Sequence, residues 1–240
     1  MDSIADFVRG RLACTVVMLL LAPVSRAQQT GQSPSSSNSS STTHARKPAL
    51  TARLDEGSVT NGVYRNQSLG FTCKIPSAWV LRTEELNARE DDGAKPDGGK
   101  AAADTGKEKE GRVLLAAFSR PPQARGEDVN SSILIAAESE AAYPGLKEAA
   151  QYFGPVTEVA QAQGFEVINE PYEFVVGTKA TARGDFQKDV GTRVMWQSTL
   201  VMLARGYVVS LTFIGGTEDE VEELIDGLSF SAGPNHNAKP

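Results

Sequence analysis

The chain has 240 residues, a formal charge of −6 and 40% hydrophobic residues, which is enough apolar material for one domain with a proper core. A mildly acidic balance without a basic stripe argues against nucleic acid as the main partner. Two cysteines, Cys14 and Cys73, are too few for a disulfide framework.

Residues 1–27 read as a secretory signal peptide. Arg9 and Arg11 supply positive charge, residues 12–24 form a short apolar run, and Ser25-Arg26-Ala27 ends it with small residues. The run is short for a membrane span, and an uncleaved N-terminal anchor is the alternative. The expected location is therefore the periplasm or the exterior. Cleavage would leave Cys73 as the sole thiol, so the fold has to rest on its core. Residues 28–57 are expected to be a disordered linker, rich in Ser, Thr and Gln and poor in apolar surface. A folded domain is expected over 58–232, followed by a flexible tail, 233–240.

Within the domain, residues 62–67 and 71–75 read as short strands around the turn Ser68-Leu69-Gly70. Phe71, Cys73 and Ile75 alternate with Thr72 and Lys74, which puts the Cys73 thiol on the apolar face as a buried structural group. Pro76-Ser77-Ala78-Trp79 makes a corner, with Trp79 covering one end of the core. Residues 87–111 mix Asp, Glu, Lys, Gly and Ala and are expected to be a disordered insertion. Residues 112–120 and 132–138 read as strands, the second apolar on both faces. A helix follows Pro144-Gly145, its buried stripe marked by Leu146, Ala149, Ala150 and Phe153. Gly154-Pro155 is expected to kink or break it before a second piece over 156–163. Strands are expected at 165–176 and 179–188 around Gly177-Thr178, and a long hairpin turns at Arg205-Gly206. Thr217 with Glu220 forms a capping box, and Val221, Leu224, Ile225 and Leu228 recur at helical spacing behind it. The order of strands, helix, strands, helix predicts an α+β fold with a mostly antiparallel sheet sandwiched between helices.

Several of these stretches resemble a known superfamily. Tyr64-Arg65-Asn66, Leu69-Gly70-Phe71, Ile75-Pro76 and Trp79 are similar to the opening pattern of PsbP-like domains. Val176-Gly177-Thr178 with Arg183-Gly184-Asp185-Phe186 resembles a strand pair of bacterial members, and the stretch from Arg205 to Phe230 resembles their closing unit. The superfamily also includes the Ran-binding Mog proteins and many exported bacterial proteins. The resemblance implies a sheet sandwiched between helices, and binding or scaffolding more than catalysis. The insertion at 87–111 is a local departure from the pattern.

The inventory for catalysis is thin. Both histidines, His44 and His236, fall in the expected linker and tail, which leaves the domain without a Ser-His-Asp triad or a histidine metal site. Gly98-Gly99 lies in a charged stretch and not between a strand and a helix, so it is no phosphate loop. Carboxylates remain. Glu138 and Glu140 share a face if their strand continues, Glu170 and Glu173 do not, and Asp185 and Asp189 flank a strand end. Solvated surface acids are the plain reading. In a carboxylate hydrolase Glu138 and Asp185 would be the first candidates. Trp79, Tyr172, Phe186 and Trp196 read as core or rim residues before ligand-stacking ones. The glycosylation sequons at Asn38, Asn66 and Asn130 matter only in a glycosylating host. No catalytic, cofactor or metal residue is assigned. The expected function is an exported, non-enzymatic module that binds an unknown envelope protein. The alternatives are a small-molecule or lipid binder with its pocket between sheet and helix and, last, a carboxylate hydrolase.

Overall fold

The computed structural model describes residues 54–93, 111–121 and 128–231. The signal segment, the linker up to residue 53, residues 94–110 of the insertion and the tail lie outside the described residues, as do His44, His236, Asn38 and Gly98-Gly99.

Two antiparallel sheets organise the described residues. The larger runs β4 (Val80–Leu81), β5 (Gly111–Phe118), β6 (Ser132–Ser139), β10 (Tyr207–Gly215), β9 (Arg193–Ala204), β8 (Lys179–Val190) and β7 (Glu166–Val176). The smaller runs β1 (Ser58–Thr60), β2 (Val63–Asn66), β3 (Phe71–Lys74) and β11 (Leu228–Phe230). Among the described residues three α-helices complete the fold: α1 (Thr83–Gly93), α2 (Phe153–Ala162) and α3 (Glu218–Asp226). This is the expected α+β class, with helices against both faces of the large sheet and the small sheet as an added layer.

Side-chain alternation decides what lies on each face. Ile133 and Ile135 of β6, Leu200 and Met202 of β9, and Leu211 and Phe213 of β10 point one way. They meet Tyr64, Phe71 and Cys73 of the small sheet and Val221, Leu224 and Ile225 of α3. The other face carries Ala182 and Phe186 of β8 and Val201 of β9 against Phe153, Val156 and Ala160 of α2. Further along that face, Leu134, Ala116 and Val113 receive Leu86 of α1. Burial of this kind contributes roughly 25 cal/mol per Å² of apolar surface.

The stretch carrying the family resemblance is a clip between the small sheet and the chain before it. Asn66 Nδ2 donates to the Asp55 carbonyl at 2.7 Å, and Asn66 Oδ1 accepts from Leu69 N at 2.8 Å. Tyr64 OH donates to the Glu56 carbonyl at 2.9 Å. Gly57 has φ +72, and a Cβ there would lie 2.6 Å from the Tyr64 hydroxyl. Residues 54–57, expected as the end of the linker, are held against the domain by these bonds and by the packing of Leu54 on the core. Asn66 is buried and fully engaged, so the sequon there is a structural residue.

Two other expectations change. The insertion does not begin at Asn87, because α1 continues to Gly93. Asn87 itself pins the helix to β5: its Nδ2 donates to the Val113 carbonyl at 2.9 Å and its Oδ1 accepts from Val113 N at 3.1 Å. Composition signals polarity there but not this backbone clamp. The expected break at Gly154-Pro155 falls earlier. A 3₁₀ turn, Ala149–Tyr152, gives way to α2 at Phe153, and Pro155 sits in the first helical turn. Its missing N–H costs nothing there, because the first four N–H groups of a helix have no intrahelical partner. Ala150 is exposed and Tyr152 is buried in its place.

The hairpin turn at Arg205-Gly206 forms as read, with both residues at positive φ. Cys73 is a free, buried thiol. Burial pushes its pKa up to about 12, and burial also raises that of Tyr64 to about 12. Above pH 9 the unfolded chain releases the thiol proton while the native state keeps it, so stability falls as pH rises. Denaturant titrations should therefore show constant stability from pH 7 to about pH 8.5 and a decline beyond it. Cys73→Ala should remove the early part of that decline; an unchanged profile in the variant would contradict a buried neutral thiol.

Candidate functional site

Strand β8 alternates Arg183 and Asp185 toward the main core with Ala182, Gly184 and Phe186 toward α2. This places a guanidinium and a carboxylate inside the protein, 5% and 6% exposed. Arg183 Nε donates to Asp185 Oδ1 at 2.8 Å, and its two terminal nitrogens reach both carboxylate oxygens of Glu222 on α3. Ser198, opposite Asp185 on β9, donates to Asp185 Oδ1 at 2.5 Å and accepts from Arg183 at 3.1 Å. From the edge strand β7, Asn169 Nδ2 and Tyr172 OH donate to Asp185 Oδ2 at 3.1 and 3.2 Å. The Phe174 ring lies 4.9 Å from the guanidinium carbon. Burial works against the charged form of Arg183, but its hydrogen bonds to Glu222 and Asp185 outweigh it and hold the pKa above the ordinary arginine value. Burial and the Asp185 charge push Tyr172 upward as well.

Glu138 lies elsewhere. It is buried on the opposite face of the large sheet, as the alternation of β6 requires, with Leu134 on its side and Ile135 and Ala137 on the other. Tyr143 donates to its Oε2, and Tyr152 donates to its Oε1 at 2.7 Å. The two phenol rings meet edge to face, 5.1 Å apart. Glu138 thus fastens the connection between β6 and α2 to the sheet. The sheet separates Glu138 from Asp185, so the two first candidates for a carboxylate hydrolase lie on opposite faces and do not converge. Glu140 has left the strand for a 3₁₀ turn, Glu140–Ala142, and Glu170, Glu173 and Asp189 are exposed. Among the described residues no three His, Cys, Asp or Glu side chains are grouped to hold a metal ion. Phe186 is core, Trp79 and Trp196 pack against the core while partly exposed, and Tyr172 lies at the rim.

The feature that sequence reading misses is a cavity of about 670 Å³ at one end of the large sheet. It opens to solvent, and three corners of the chain border it: the end of β5 with the entry to β6, the start of β9, and the start of α3. Trp196, Val194, Arg120, Arg193 and Glu220 are among the residues that line it. Half of the expected capping box forms at the start of α3: Glu220 N donates to Thr217 Oγ1 at 3.1 Å, but the Glu220 carboxylate accepts from Gly216 N at 2.8 Å and not from the N–H of Thr217. Ser131 Oγ ties Glu220 Oε1 to the β6 entry at 2.5 Å. Asn130, another sequon residue, is a bracket here, bonded to the backbone N–H and carbonyl of Arg120 at 3.1 Å each. The N-cap is readable from Thr217 and Glu220; the convergence of three distant corners carries no local signal.

A further exposed feature among the described residues is the β7 edge, where Ile168, Tyr172 and Val175 reach solvent. Register shifts flank Asn169, and Pro171 sits within the strand, which blunts the edge against strand addition.

No protein-family model matches the chain, and no curated protein matches it. Among solved structures it is similar to the Ran-binding protein Mog1p of Saccharomyces cerevisiae, at 11% identity and a TM-score of 0.38, over 72% of this chain and 96% of that one. It is similar to LpqN of Mycobacterium tuberculosis, a protein involved in cell envelope biogenesis, at 14% identity and a TM-score of 0.34, over 75% of this chain and 88% of that one. A Pseudomonas aeruginosa protein of unknown function, PA94, matches at 18% identity and a TM-score of 0.31, over 42% of this chain and 68% of that one. All three are remote likenesses of backbone arrangement.

Removing one half of a buried ion pair strands the other half. Arg183→Met should therefore cost about 3–5 kcal/mol in denaturant unfolding, and Arg183→Met with Asp185→Leu should recover most of it. Glu222 is 43% exposed, so Glu222→Gln should cost about 1 kcal/mol or less. A loss below about 1 kcal/mol in Arg183→Met would show that the network does not hold the fold.

Proposed function

We propose that the chain is a non-enzymatic binding module of the cell envelope that docks another protein at the cavity beside the start of α3. The observation that carries this reading is the composition of the cavity. Tryptophan and arginine are the residues that dominate binding energy at protein interfaces, and here a partly exposed Trp196 shares a recess with Arg120 and Arg193. The buried polar groups elsewhere support it: Arg183 and Asp185 bond to side chains of β7, β9 and α3, and Glu138 is held by two phenols. A lipid pocket between sheet and helix fits less well, since that layer is occupied by Val221, Leu224 and Ile225, and an acyl chain in the cavity would meet charged walls. The signal-like segment at residues 1–27 supports export. Among the described residues no helix is long and apolar enough to cross a membrane.

The test is native mass spectrometry on the tagged chain, purified gently from its own envelope. A protein should be retained by the native chain and lost from Trp196→Ala, while circular dichroism shows the variant folded. A chain that carries no partner, or one whose partner stays bound in Trp196→Ala, would remove the cavity as the docking point.

A further inference from the structure

The hydrogen-bonding capacity around the cavity is unevenly committed. Glu220 is occupied, one oxygen by Ser131 Oγ and the other by Gly216 N. Ser119 Oγ already has a partner in Asn130 Oδ1 at 3.0 Å. What remains is mostly donors. Arg193 gives one nitrogen to Asp128 Oδ1 at 2.9 Å, and Arg120 gives one side-chain bond, to the Asp128 carbonyl. A guanidinium carries five N–H donors, so among the described residues most of both forks is unused. The indole N–H of Trp196 finds no acceptor among the described residues.

Asp128 is the group that answers these donors, and it does so weakly. Its side chain is 74% exposed and that of Arg193 is 48% exposed. An ion pair in that setting adds little stability and exchanges readily. The start of α3 cannot supply positive charge to a ligand, because Glu218, Asp219 and Glu220 fill its first turn. The arginines have to do so alone. With Glu220 close by, a singly charged carboxylate fits better than a phosphate dianion.

We infer that the cavity is a carboxylate-binding site, and that the Asp128 carboxylate holds Arg193 as an internal substitute for an aspartate or glutamate side chain on an acidic segment of the partner. This rests on the cavity being the docking point. Asp128 then competes with the partner, so removing its charge strengthens binding. An Asp128 that merely braced the rim would do the reverse.

The test uses the emission of Trp196 in the full chain with Trp79→Phe, which leaves a single indole. The probes, at fixed ionic strength, are a capped Gly-Glu-Gly-Glu-Gly peptide, its Gln counterpart capped and with a free C-terminus, and inorganic phosphate. The capped Glu peptide should give a saturable change that the capped Gln peptide does not. Arg193→Ala should weaken it about tenfold, as expected for a lost charge-assisted bond, and Asp128→Asn should tighten it severalfold. Equal response to the capped Glu and Gln peptides, no response, a response only to the free C-terminus, or tighter phosphate binding would overturn the inference. So would unchanged or weaker binding in Asp128→Asn. If a partner is still captured through Trp196 while these arms fail, docking at the cavity stands and the carboxylate chemistry falls.

Discussion

The buried guanidinium of Arg183 organises the larger sheet. Arg183 lies inside the protein, where an unpaired charge would be too costly to keep. Its partners therefore have to be delivered to it, and they come from different elements: Asp185 beside it on β8, Ser198 from β9 and Glu222 from α3, with Asn169 and Tyr172 of β7 completing the shell of Asp185. The consequence for α3 is direct. Val221, Leu224 and Ile225 would allow the helix to slide along an apolar surface, but Glu222 on Arg183 and Glu220 on Ser131 fix its position. The cavity is the space left between that fixed helix start and the ends of the strands.

The same logic separates structural motifs from functional ones. Tyr64, Asn66, Gly70 and Phe71 carry the family resemblance, and they build a clip and a turn: Gly70 takes positive φ, its N–H bonds to the Asn66 carbonyl, and its own carbonyl accepts from Ser231 N. Arg183-Gly184-Asp185-Phe186 is equally structural. Arg and Asp form the buried pair, Phe186 is core, and Gly184 lies against Phe153, whose ring a Cβ would meet at 2.6 Å. Recognisable stretches of this kind report how the domain folds. They say little about what it binds.

Local signals explain which parts are legible in the sequence. Alternation places Cys73 and the long strands correctly, and the pair Thr217 and Glu220 locates the start of α3. Each depends on neighbours a few residues apart. The failures share the opposite property. The extension of α1 depends on Asn87 clamping Val113, 26 residues away. Glu138 looks like a surface acid until Tyr143 and Tyr152 fold over it. The cavity joins Arg120, Asp128, Arg193 and Glu220, which only the completed sheet brings together. A separation of 89 residues between Ser131 and Glu220 leaves no periodicity to read.

Hydrogen exchange on the chain, alone and with solubilised envelope added, would locate the contact surface whatever the identity of the partner. Docking at the cavity predicts slowed exchange in the segments around 119–121, 193–197 and 216–221, with the β7 edge unchanged. Protection along β7 with none at those three corners would contradict it.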